Sequence, residues 1–272
     1  MAKSSANGMA KSSADDPISN LAVRRAIAAT RGEKVSRTVA RLVARTIADD
    51  RLQPGAALPS EQEMANNFGV GRASVREGLR LLEAQGLVTM RQGVGGGPSV
   101  AEPTGAAFGD TMSMYLQVND IRLYEVVEAV IEMEGLAAAL AADKVARGEI
   151  EDPEELEALE PHTDDITSNR EFIETSVGFH DHLRQLAGNY ILALMGSALA
   201  HLFSDRAIGA HPSDWNDRER TVFADAHAQI GRAIRAGDAA TARQLAMDHM
   251  RDAVSMTLGD NPTVLQDRVD WK

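Results

Sequence analysis

Residues 58–93, LPSEQEMANNFGVGRASVREGLRLLEAQGLVTMRQG, narrow what this chain can fold into more than any other stretch. Ser60-x-x-Glu63 has the spacing of a capping box, in which the serine hydroxyl accepts from the Glu63 amide while the glutamate accepts from the Ser60 amide. It predicts a short helix through Asn67, with Met64 and Phe68 facing inward. FGVG then reads as a tight turn, and another helix runs from about Arg72 to Gln85, where Gly86 stops it. Upstream, Val39, Leu42, Val43 and Ile47 recur at helical spacing from Val35 until Pro54 and Gly55 break the chain. Downstream, LVTM, the glycine-rich RQGVGGGP and SVAE read as two short strands joined by a tip.

Three helices and a hairpin in this order make a winged helix-turn-helix. The second helix of that plan braces the third, whose leading turn is offered to the major groove of a duplex. Arg72 and Arg76 are four apart and share a face, and Ser74 lies on the same turn. Arginine grips guanine through two nitrogens or a phosphate by charge, and a serine hydroxyl can donate to a phosphate. The plainer alternative is a solvated helix face on which these arginines pair with Glu77 and Glu83. The ordered succession of turn, bracing helix and wing argues against it.

A formal charge of −12 sits oddly with so anionic a partner. The charge is uneven, however: residues 1–32 carry net +3, residues 33–104 net +1 and residues 105–272 net −16. The N-terminal third can approach a polyanion, and the remainder repels one. The chain has no cysteine, which excludes disulfides and leaves nitrogen and oxygen as metal donors. No apolar run reaches the roughly 18 residues that span a bilayer, and the N-terminus lacks the apolar core of a secretory signal. The expected setting is the cytoplasm, with no membrane partner. Residues 1–32, which open on the near-repeat MAKSSAN and MAKSSAD, read as a mobile tail.

Residues 105–118 show little periodicity and read as a linker between a DNA-binding domain over 33–104 and a second domain over 119–260, with 261–272 as a tail. In the second domain RLYEVVEAVIEMEGLAAALAADKVA is one long amphipathic helix, with Leu123, Val127, Val130 and Ile131 on its buried stripe. Further helices are expected over 151–160, 166–187, 189–208, 214–236 and 238–258, bounded by Gly188-Asn189, Ser213-Asp214 and RAGDAATA. The fold class is mainly α: an N-terminal winged helix-turn-helix with a small β-hairpin wing, then an all-α antiparallel bundle. His180, His227 and His249 each sit inside a helix beside apolar neighbours. Turned inward together they would suit zinc, nickel or a similar divalent ion; scattered histidines are the plainer alternative. His162, His182, His201 and His211 carry no assigned chemistry, and His182 is expected to be exposed.

Residues 35–102 resemble the DNA-binding domain of the GntR transcription factors, on LPSEQEMANNFGVGRASVREGLRLLEAQGLV and the wing glycine Gly93. The resemblance implies a homodimer on a palindromic double-stranded operator, contacted by Arg72, Ser74, Arg76, Gln92 and Gly93. Gln62 stands where the family often has a DNA-touching arginine, and Gly71 where serine or threonine is usual. These departures bear on the preferred operator sequence. FHDHLRQLAGN and AHAQIGRAIRAGDAATARQLAMDHM resemble the ligand-binding domain of the FadR subfamily. That likeness implies an all-helical effector domain, often holding a metal through one aspartate and three histidines.

The family's three histidines fall on His180, His227 and His249. Its aspartate falls on Ser176, which is not an equivalent ligand, and Glu174 points about 120° away from His180 on a regular helix. An effector-facing arginine of the family, four residues before a glutamate, falls on Glu128 when counted from Glu132. Two readings of Glu128 stay open: a carboxylate standing in for the missing aspartate, or a glutamate on a solvated face. Arg184, on the face of His180, and Asn189, at the start of the next helix, join Glu128 as candidate effector-binding groups.

The function so implied is a ligand-responsive repressor and not an enzyme, with a small-molecule effector in the acidic bundle altering the hold on DNA. A metal-sensing regulator, for which the ion is the signal, is one alternative. A metal-dependent hydrolase with a DNA-binding head is a remoter one. Three histidines can activate water, yet the chain has no dedicated general base, HExxH motif or nucleophile elbow.

Overall fold

The computed structural model describes residues 34–91, 93, 96–150, 153–157, 159, 168–210, 216–258 and 262–270. They form two compact units that divide between Pro103 and Thr104. The tail expected over 1–32 lies outside the described residues.

The first unit holds α1 (Val35–Asp49), α2 (Glu61–Phe68), α3 (Arg72–Ala84), β1 (Val88–Arg91) and β2 (Gly97–Val100). The capping box forms as its spacing predicts: the Ser60 amide donates to Glu63 Oε2 at 2.8 Å and the Glu63 amide to Ser60 Oγ at 3.3 Å. Gly69 ends α2 at φ +69°, a left-handed conformation that costs glycine nothing. Val39, Val43, Met64, Phe68, Val75, Leu79 and Leu82 form the core, closed from below by Val88 and Val100 of the hairpin. α1 and α3 approach closely at Gly78, where a Cβ would lie 2.8 Å from the Ser36 carbonyl oxygen. β1 and β2 pair antiparallel from Val88 opposite Val100 to Arg91 opposite Gly97. The chain before α2 joins the far edge of β2, with the Leu58 amide donating to the Pro98 carbonyl at 2.9 Å.

The second unit is helical among the described residues: α4 (Gly105–Val118), α5 (Leu123–Ala146), α6 (Pro153–Glu157), α7 (Asn169–Leu186), α8 (Tyr190–Ala210), α9 (Asp217–Arg235), α10 (Ala239–Leu258) and a 3-10 turn, Pro262–Gln266. The expected linker over 105–118 is therefore corrected to a helix of this unit. Thr104 caps it, its hydroxyl accepting from the Ala107 amide at 3.2 Å. α4 settles onto α8 through small residues: a Cβ on Gly105 would lie 2.5 Å from Ser197 Cβ, and one on Gly109 3.0 Å from the Ala198 carbonyl oxygen.

α5 runs through the middle of this unit, burying Leu123, Val126, Val127, Val130, Ala137, Ala138, Ala141 and Ala142, with Ile131 half-buried. Its alanine-rich end lets α7, α9 and α10 crowd around it. α7 and α9 each start three residues later than expected, after caps supplied by Ser168 and Asn216. Ser213-Asp214 lies outside the described residues. The tail expected over 261–272 is also corrected where it is described. Val264 and Val269 are buried against the start of α5, and the Val269 amide donates to the Ile121 carbonyl at 3.0 Å. Apolar valines this close to an exposed helix start gain more by covering it than by remaining in water.

Candidate nucleic-acid interface and three-histidine site

Gly71 precedes α3 in an extended conformation and offers no side-chain cap, so the first amides of the helix remain open. Arg72 and Arg76 follow on one face, their side chains 57% and 51% exposed. Both reach toward Glu61 at the start of α2. Arg76 donates to that carboxylate from Nε at 3.0 Å and from Nη2 at 2.7 Å, and Arg72 Nη2 lies 3.8 Å from it. The Arg76 hydrogen bond holds the Glu61 carboxyl below its ordinary value, and Glu61 in turn raises Arg76. The bracing helix thus aims the arginine by charge as well as by packing, and the acid that does so is Glu61, not Glu77 or Glu83.

Ser74 is half-buried on the leading turn. Gln62 is exposed, and its Nε2 donates to Asn66 Oδ1 at 3.0 Å, laying the side chain along its own helix. Gly93 is exposed near the wing tip at φ +103°, a conformation reserved in practice for glycine. Gln92 lies outside the described residues.

In the helical unit, packing brings His180 of α7, His227 of α9 and His249 of α10 together. One ring nitrogen from each lies within 4.8 Å of the others. The Nε2 atoms of His227 and His249 are 2.9 Å apart, and those of His249 and His180 3.3 Å apart. Phe179 stacks on the His227 ring at 4.1 Å between centroids, and Phe223 meets His249 edge-on. These apolar walls set the protonation. Burial, and then the neighbouring histidines, push His227 well below its ordinary value, and burial takes His249 to about 3. Both rings are neutral at neutral pH, the form in which imidazole binds metals.

A fourth group completes the cluster, and sequence reasoning missed it. Glu134 of α5 is 1% exposed. Its Oε1 accepts from His180 Nδ1 at 2.6 Å, and its Oε2 accepts from Arg184 Nε and Nη2 at 2.9 and 2.8 Å. Burial alone would raise its carboxyl, but the Arg184 guanidinium and the His180 ring hold it at about 2. Arg184 also donates to Asp181 Oδ1 at 3.1 Å, which accepts from Ser197 Oγ at the same distance. The overlooked signal was positional: Glu134 follows Val127 by seven residues and Val130 by four, on the buried stripe of α5.

Glu128 is corrected accordingly. It is exposed, and Glu132 pairs at the surface with Arg243 at 2.7 Å, so the helix face carrying both points away from the histidines. Arg184 is buried at the cluster, whereas Asn189 is exposed and its Oδ1 caps α8 by accepting from the Leu192 amide at 3.2 Å. Ser176 is half-buried one turn before His180. His182, expected to be exposed, is half-buried and donates from Nε2 to the Glu155 carbonyl at 2.7 Å. His201 lies 3.7 Å from Asp110, and His162 and His211 lie outside the described residues.

The donor set fits a divalent cation: three imidazole nitrogens converge, two of them on rings kept neutral, with no competing thiolate.

Comparison with known proteins places both units. Residues 35–96 match the family described as bacterial regulatory proteins, gntR family, and residues 125–252 match the FCD domain. The HTH-type transcriptional repressor NanR of Enterobacter sp. (strain 638) is 31% identical over 234 residues, covering 83% of this chain and 85% of that protein. An uncharacterized HTH-type transcriptional regulator of Streptomyces ambofaciens is 29% identical over 201 residues, covering 74% and 75% of the two chains. Among solved structures, Streptococcus agalactiae GntR superposes with a TM-score of 0.56 at 22% identity, covering 80% of this chain and 98% of that one, a likeness of fold. The chain belongs to the GntR family of DNA-binding transcription regulators, in which it joins a winged helix-turn-helix to an FCD domain.

Proposed function

We propose that this protein is a cytoplasmic repressor that holds a palindromic operator as a homodimer. A small-molecule effector, acting at the three-histidine site with a divalent cation such as zinc or nickel, changes that hold. The observation that carries the site is the convergence of the His180, His227 and His249 nitrogens inside the acidic unit. The repressor from Enterobacter supports the direction of control. When bound, the ion supplies a Lewis-acid centre with positions left for a donor from the effector.

The remaining work falls to the chain. Arg72 and Arg76 present guanidinium groups from the leading turn of α3, and two copies of α3 read two half-sites. Control requires that the effector bind unequally to the DNA-competent and DNA-incompetent forms. An enzyme is set aside, since the family consists of transcription regulators.

One observation favours the metal itself as signal: Arg184, a buried cation beside the histidines, is already engaged by Glu134 and Asp181. A simple carboxylate effector would have to displace both.

Fluorescence anisotropy on the protein's own promoter fragment, with metal-loaded and chelator-treated protein, tests the reading. The expected result is one divalent cation per histidine cluster and a change in operator affinity of about 5- to 150-fold on its removal, the usual range of allosteric coupling. Protein that binds the operator yet takes up no divalent cation would remove the metal from this account. Chelator sensitivity in protein freed of small molecules would favour the ion as signal.

A further inference from the structure

We infer that Glu134 is the positioning residue of the three-histidine site. Its buried carboxylate fixes His180 with the proton on Nδ1 and the lone pair on Nε2, and so allows the site to keep a divalent cation with a serine at position 176. The inference rests on the metal reading above.

The geometry separates Glu134 from the ligands. Its Oε1 faces Nδ1 of His180 at 2.6 Å, while the Nε2 atom of the same ring faces His249 at 3.3 Å. The carboxylate therefore acts from behind the ring. An ionised carboxylate can only accept, so the ring must carry a hydrogen on Nδ1. Without that acceptor the hydrogen is free to move to Nε2, where a cation needs a lone pair. Outer carboxylates of this kind set the ring orientation and basicity of metal-binding histidines.

Charge supports the same assignment. Ser176 brings none, so three neutral imidazoles would leave a divalent ion uncompensated in a buried place. Glu134 and Asp181 both contact Arg184, at 2.8 and 3.1 Å, and these three groups together carry a formal charge of −1. Arg184 holds the Glu134 carboxylate in place, and Asp181 offsets the charge that Arg184 introduces. The result is a negative group behind His180 that survives burial.

Zinc affinity of the full-length, metal-stripped protein, measured by competition with a chromophoric chelator, tests the assignment. Three variants are compared: Glu134→Gln, Glu134→Ala, and Glu134→Met combined with Arg184→Met, which removes the buried charge pair together and keeps its volume. Each should bind zinc about 10- to 100-fold more weakly than wild type, the usual effect of losing an outer-sphere partner. The double variant should keep a melting temperature near that of the metal-free wild type. In Glu134→Ala, added formate should restore part of the affinity, because it can occupy the vacated place between Arg184 and His180; a residue needed only for folding would give no such recovery.

Wild-type zinc affinity in the double variant would overturn the positioning role and leave the metal in place. Weakened binding in every variant without recovery by formate would likewise overturn it, assigning Glu134 to the fold alone. A wild-type protein that binds no zinc would overturn both this inference and the reading beneath it.

Discussion

Glu61, the first residue of the bracing helix, grips Arg76 of the recognition helix through two guanidinium nitrogens. A guanidinium held on one edge presents its remaining N–H groups in a fixed direction, as a base edge requires. Glu61→Gln should therefore loosen discrimination more than it alters stability. The ratio of operator to random-sequence affinity is expected to fall by about tenfold, within the 1–3 kcal/mol of a bidentate base contact. The pair is half exposed at Arg76, so its loss should change the urea midpoint little. Competition binding with unlabelled random duplex reads the ratio.

Reversal of both recognition-helix charges, Arg72→Glu with Arg76→Glu, is expected to reduce operator affinity by about 100-fold or more, at 1–3 kcal/mol for each contact. Both side chains are over half exposed, so the circular dichroism spectrum should be unchanged. A folded double variant that holds its promoter fragment as wild type does would show that α3 is not the reader.

Acid should unfold the metal-free helical unit early. His249 is held at about 3 against 6.5, and His227 also lies well below 6.5; both are depressed in the folded state. The unfolded chain binds protons that the folded chain refuses, so stability is complete above about pH 6.5 and is lost as pH falls from there toward 3. Glu134, held at about 2 against 4.5, acts in the same direction: its contribution is present above 4.5 and is lost as pH falls toward 2. Urea midpoints in chelator at about pH 7.5, 6 and 5 should decline in that order. A flat series would mean that the rings take up protons without unfolding.

Gly78→Ala should destabilise the DNA-binding unit. Alanine is about 1 kcal/mol better than glycine inside a helix, but here its Cβ would lie 2.8 Å from the Ser36 carbonyl oxygen and 2.9 Å from Val39 Cγ1. Backbone cannot rotate aside, so overpacking, at about 1–3 kcal/mol, outweighs the gain in propensity. Thermal denaturation should show a lower melting temperature, and a rise would contradict the close crossing of α1 and α3.

Local rules were the most legible part of this chain. Ser60 and Glu63 are three residues apart and can recognise each other with no help from the rest of the fold, as can the wing and its glycines. The three histidines were also readable as candidates, because each interrupts an apolar helix face. Glu134 was not, although it does the same. Glu128, Glu132 and Glu134 share one helix; the stripe through Val127 and Val130 singles out Glu134, but that Arg184 and His180 of α7 stand opposite it to hold a buried carboxylate is a tertiary outcome. α4 escaped notice for another reason. It seats on α8 through Gly105 and Gly109, so its most buried positions, Gly109 and Ser113, are small, and Met112 and Leu116 alone carry the apolar signal on its inward side.

Because α4 begins at Gly105 and β2 ends at Val100, only the four residues Ala101–Thr104 tether the wing to the regulatory helices. Fully stretched, four residues reach about 14 Å, and Pro103 stiffens even that. In the proposed homodimer, a leash so short would give each DNA-binding unit little slack with which to search for a distant half-site. The spacing between operator halves would then be set by the paired proteins themselves, and inserting half a helical turn of DNA between those halves is expected to abolish tight binding.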